Sequence, residues 1–86
     1  MIFMSNSEEC WELDLRGLRC PLPLLRLKQA LQKMPPGASI QLRTTDPASE
    51  RDFRLYLDHA GHRLVSVVVG PEDIFFHVIK VDHAHG

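Results

Sequence analysis

Apolar and polar residues alternate strictly along "WELDLR", so Trp11, Leu13 and Leu15 share one face and Glu12, Asp14 and Arg16 the other. A period of two marks a strand with one buried side. From Leu24 the period lengthens. Leu24, Leu27, Leu31 and Met34 recur at helical spacing, flanked by Leu25 and Ala30, while Arg26, Lys28, Gln29 and Lys33 fall on the watery side. "MPPG" stops this helix, because a residue before proline disfavours the α region. "SIQLRT" (Ser39–Thr44) alternates again and predicts a second strand. "TTDPASERDFRLYLDHAG" carries helix punctuation: Asp46 to cap, Pro47 for the first position, Gly61 for a left-handed end. Its apolar stripe is Phe53, Tyr56, Leu57 and Ala60. Two β-branched and aromatic runs follow, "RLVSVVV" and "IFFHVIKV", joined by the turn residues "GPED". They predict a hairpin in the core of the sheet.

The order is β-α-β-α-β-β. Two amphipathic helices and four strands each need a partner for their apolar faces. The expectation is an α/β two-layer sandwich, with both helices on one face of a four-stranded mixed sheet. A chain of 86 residues holds one domain, expected over residues 11–82, between a flexible lead-in at 1–10 and a mobile tail at 83–86. Hydrophobic residues make up 44%, enough for a small core and too many for a disordered chain. No stretch approaches the roughly 18 apolar residues of a membrane span, and the first residues lack the apolar run of a signal peptide. A cytoplasmic protein without direct membrane contact is expected.

Charge changes this picture only locally. The net value of −1 gives no global pull toward nucleic acid, so direct nucleic-acid binding is not expected. Yet Arg16, Arg19, Arg26, Lys28 and Lys33 form a basic run without an acidic residue among them. It reads as a solvated helix face or as a rim for an acidic partner or RNA.

The candidate chemistry lies in "GLRCPLP" (Gly17–Pro23). Cys10 and Cys20 are too few for a disulfide framework and do not form C-x-x-C, which sets aside a thioredoxin-type pair and a zinc knuckle. Cys20 sits where a strand gives way to a helix. Helix N-termini favour anions through unpaired N–H groups and the macrodipole, so a lowered thiol pKa is expected there, helped by Arg16 and Arg19. Pro21 and Pro23 suit a first helical turn and stiffen the approach to it. Cys10 could pair with Cys20 as a redox switch, or be an incidental thiol. His59 and His62 straddle Gly61 and do not form a regular helical metal pair, and His83 and His85 lie in the tail. No metal or other cofactor is expected.

"LDLRGLRCPLPLLRLKQALQKMPPG" resembles the opening of the TusA/SirA-like sulfur carriers, whose hallmark is Cys-Pro-x-Pro after a Gly-Leu step. "TTDPASERDF" is similar to the family's Asp-Pro…Asp segment at Asp46, Pro47 and Asp52, and "HAGHRLVSV" fits as well. The resemblance implies the same two-layer sandwich. It implies that Cys20 accepts sulfane sulfur as a persulfide and relays it, for tRNA thiolation or other sulfur trafficking. Gly17, Arg19, Pro21 and Pro23 would support the thiol, and Arg16, Arg26, Asp46 and Asp52 are candidates for partner contact. The implied partners are a sulfur donor, such as a cysteine desulfurase or a rhodanese, and a downstream acceptor protein. The tRNA-thiolation carriers commonly have glutamate between the two prolines, where this chain has Leu22. Two other readings stand beside this one: a non-catalytic regulatory or interaction module, and a thiol-based redox sensor.

Overall fold

The computed structural model describes residues 2–4 and 10–81. Strand β1 (Ile2–Met4) is followed by β2 (Cys10–Leu15), α1 (Leu22–Lys33), β3 (Ser39–Thr44), α2 (Ser49–Ala60), β4 (Arg63–Val69) and β5 (Ile74–Ile79). From β2 onward this is the expected β-α-β-α-β-β order in an α/β sandwich. The lead-in needs correction. Ile2–Met4 pairs antiparallel with Trp11–Leu13 and adds an edge strand to the sheet, and Cys10 already belongs to β2. Three residues are too short a run to show periodicity, and only the exposed edge of β2 makes them a strand. The expected tail at 83–86 lies outside the described residues.

The strand order is β1-β2-β3-β5-β4. Strands β2 and β3 are parallel, and β5 enters between β3 and β4, antiparallel to both. The sheet is therefore mixed. One face packs on the helices: Leu13 and Leu15 of β2, Ile40 and Leu42 of β3, and Phe76 and Val78 of β5 are buried against Leu27, Leu31, Phe53 and Leu57. Phe53 and Phe76 meet with ring centroids 4.6 Å apart and planes tilted by 52°, a geometry that adds to the burial of both rings.

The hairpin is less uniform than its composition predicts. Strand β5 is central and alternates buried and half-buried residues, whereas β4 is an edge strand. Only Leu64 and Val67 of β4 pack on the core, and Val65, Val68 and Val69 are exposed. A register shift between Leu64 and Ser66 explains the break in alternation, since a bulge carries one unpaired residue.

Both helices begin after neighbouring parallel strands, α1 after β2 and α2 after β3. Their N-termini thus lie side by side at the carboxyl ends of those strands, where open α/β sheets place their ligands. Gly61 ends α2 at φ 88°, and its N–H bonds to Leu57 O at 2.9 Å, as the left-handed cap requires.

Candidate functional site

The loop from β2 to α1 turns at Gly17, whose φ of 85° a side chain would strain. It is then tied to the loop from β3 to α2 by two bonds. The Gly17 N–H donates to Thr45 Oγ1 at 2.8 Å, and the Cys20 N–H donates to Asp46 Oδ2 at 2.5 Å. The other oxygen of Asp46 accepts the Ala48 N–H at 3.0 Å, closing the turn that leads into α2. One carboxylate therefore joins the two helix starts. The backbone N–H bonds from Ala48 and Cys20 hold the Asp46 carboxyl below its ordinary pKa. Thr45, which sequence reasoning passed over, is the second clamp; a hydroxyl between a strand and Asp-Pro is its signal.

Cys20 is exposed in an open cleft of about 550 Å³ whose walls include Leu18, Arg19, Thr45 and Pro47. Its Sγ lies 3.5 Å from Asp52 Oδ2, in the first turn of α2, and donates to it. Here the expected electrostatics are overturned. The Cys20 thiol is pushed above its ordinary pKa, first by the bond to Asp52, then by desolvation and by the charges of Asp52 and Asp46. Three features remove the expected stabilisation of a thiolate. Pro21 is the N-cap and Pro23 is in the first turn, so neither offers an N–H. The Leu22 N–H bonds to Arg19 O at 2.8 Å, and the Cys20 N–H is spent on Asp46. Arg16 faces the other way, its guanidinium held by Asp14 at 2.7 and 2.9 Å. The prolines that mark the helix start also remove two of the donors an anion would use there.

The other candidates sort by position. Pro23 is buried and anchors the start of α1, while Pro21, exposed, follows a cis Cys20–Pro21 bond. Arg19 and Arg26 are exposed, Arg16 is engaged with Asp14, and Lys28 sits 4.9 Å over the Tyr56 ring. The basic run is thus broken into separate contacts. Beside the thiol, Leu22 and Leu25 expose 43% and 45% of their surface, so the approach to Cys20 along α1 is partly apolar. Cys10 opens β2 and Cys20 follows its other end. Six strand residues span roughly 20 Å, far beyond the separation of about 7 Å that a disulfide tolerates. An internal Cys10–Cys20 switch is excluded in this fold. His62 turns inward, where its Nδ1 accepts the Val81 N–H at 3.1 Å, whereas His59 is exposed.

The family model described as Sulfurtransferase TusA matches residues 12–81, which take in both site loops and both helices. The chain belongs to the TusA family. A putative sulfur carrier protein of Aquifex aeolicus is 33% identical over 82 residues, covering 95% of this chain but 42% of the relative. The chain thus spans less than half the length of that relative. The sulfur carrier protein TusA of Allochromatium vinosum is 43% identical over 54 residues, 63% of this chain and 71% of its own. A putative sulfur carrier protein of Neisseria meningitidis is 42% identical over 60 residues, 70% and 77% of the two chains. No helix among the described residues of this TusA-family chain is long and apolar enough to cross a membrane.

Proposed function

We propose that this protein is a sulfur carrier in which Cys20 receives sulfane sulfur as a persulfide and passes it to an acceptor protein. The observation that carries the reading is an exposed thiol, fixed by backbone bonds at the carboxyl end of two parallel strands, in a chain of the TusA family. The names of its relatives support the same reading.

In loading, the Cys20 sulfur attacks the outer sulfur of a donor cysteine persulfide. The donor's S–S bond breaks as the Cys20 S–S bond forms. The donor leaves as a thiolate and takes the proton that Cys20 gives up. One persulfide is consumed and one is made, so no oxidant or reductant is needed. Delivery repeats the step with the acceptor's thiolate as the attacking group. Donors such as a cysteine desulfurase or a rhodanese supply the required persulfide, and tRNA thiolation is one destination. An apolar Leu22 at the mouth favours a partner with an apolar contact there.

Incubation with a persulfide donor followed by intact-mass analysis tests the reading. The expected result is one added sulfur atom on the parent protein and on Cys10→Ser, and none on Cys20→Ser. Equal loading of Cys20→Ser and the parent would overturn it.

A further inference from the structure

We propose that Asp52 is a positioning residue for the thiol, whose carboxylate holds Cys20 as a protonated, restrained donor until a partner docks. The geometry divides the carboxylate in two. Oδ1 faces Arg51 Nε at 3.6 Å, and Oδ2 faces Cys20 Sγ at 3.5 Å. Asp52 is only 20% exposed, while the Arg51 side chain is 76% exposed, so the carboxylate is the better-fixed member of its own ion pair. The charged groups facing the sulfur are Asp52 and Arg51 from α2 and Asp46 from the preceding loop. Arg19, on the loop that carries Cys20, acts on Asp46. Two carboxylates thus oppose an anion at Sγ, and Arg51 alone among these neighbours favours one directly. Few backbone donors offset them, because Pro21 and Pro23 have none and the Cys20 and Leu22 N–H groups are bonded elsewhere.

An exposed thiolate reacts with any passing oxidant or electrophile. Keeping the sulfur protonated makes an exposed thiol tolerable, and a docking partner that draws Asp52 away releases it. Why release should await a partner rests on the carrier reading; the restraint itself does not.

The test is the pH profile of iodoacetamide alkylation of Cys20, read by intact mass in a Cys10→Ser background. Asp52→Asn should move the profile to lower pH and speed alkylation several-fold at neutral pH, while Asp52→Glu should keep the profile near the parent's. A profile unmoved by Asp52→Asn, or moved to higher pH, overturns the proposal. If circular dichroism shows Asp52→Asn to be misfolded, Asp52→Ser decides instead. It also removes the carboxylate facing Cys20 Sγ and should move the profile to lower pH; an unmoved profile then overturns the proposal. No sulfur is transferred in this assay, so its failure is distinct from a failure of Cys20 to load.

Discussion

The two helix starts make an instructive pair. Each follows one of two adjacent parallel strands, and each has a proline just before or within its first turn. The α2 start is conventional in its electrostatics, with Glu50 and Asp52 in the first turn and Asp46 closing the loop before it. Neither start has a side-chain cap, but the α1 start also has no acidic residue in its first turn, and its prolines remove N–H groups. What it lacks is supplied from the other: Thr45 and Asp46 hold its loop, and Asp52 meets its thiol. The site is therefore not a helix N-terminus holding a cysteine. It is a thiol at one helix start, governed by carboxylates at the other.

The largest way to break the comparison is to remove the floor beneath α2. Phe53 is fully buried against Phe76. Phe53→Ala should cost about 3–5 kcal/mol, measured by urea denaturation, and should loosen the α2 start before the α1 start in hydrogen exchange. Asp46→Ala cuts the link itself. Its expected outcome is faster amide exchange at Cys20 and Ala48 together, with a lower denaturation midpoint; exchange that changes at Ala48 alone would show that the loops are joined by other means. Thr45→Val removes the second clamp and should cost about 0.5–1.5 kcal/mol, read from the same denaturation curves.

A pH titration sharpens the comparison from outside the site. Burial and the nearby Lys80 charge hold the His62 imidazole below its ordinary pKa of 6.5. The unfolded chain therefore takes up a proton near pH 6.5 that the folded chain refuses. The stability that His62 contributes is present above that pH and declines as the solution is acidified toward the folded-state pKa. His62→Gln should flatten the acid side of a melting-temperature profile while leaving Cys20 alkylation unchanged. The smallest effect is expected from Leu22→Glu. At 43% exposed, this position should alter stability by no more than about 0.5 kcal/mol, so any change in sulfur loading from a given donor reports contact with that donor.

Much of this was legible in the chain. The alternation at Ser39–Thr44 places β3 as found and that at Trp11–Arg16 places β2 one residue late, and Gly61 ends α2 where its conformational freedom predicts. The stripes of both helices also match: Leu27, Leu31, Phe53 and Leu57 are buried, while Leu24 and Tyr56 are half-buried at their edges. The position of Cys20 ahead of a helix was readable because Pro21 and Pro23 act on their own neighbours. The edge strand Ile2–Met4 was not, since three residues carry no period, and the exposure of β4 was not, since its valines resemble those of a central strand.

By itself, then, the sequence determined what local rules govern: element types, the left-handed end of α2, the apolar faces, and a lone thiol at a stiffened turn; the start of α2 fell at Ser49, with Ala48 and not Asp46 as its N-cap. Tertiary structure decided the strand order, with β5 inserted between β3 and β4, and it decided the character of the thiol. Cys20 and Asp52 are 32 residues apart, and nothing in the pattern around either announces the other. A pKa responds to charges within a few ångströms in space, and only the parallel pairing of β2 with β3 brings those carboxylates to the sulfur.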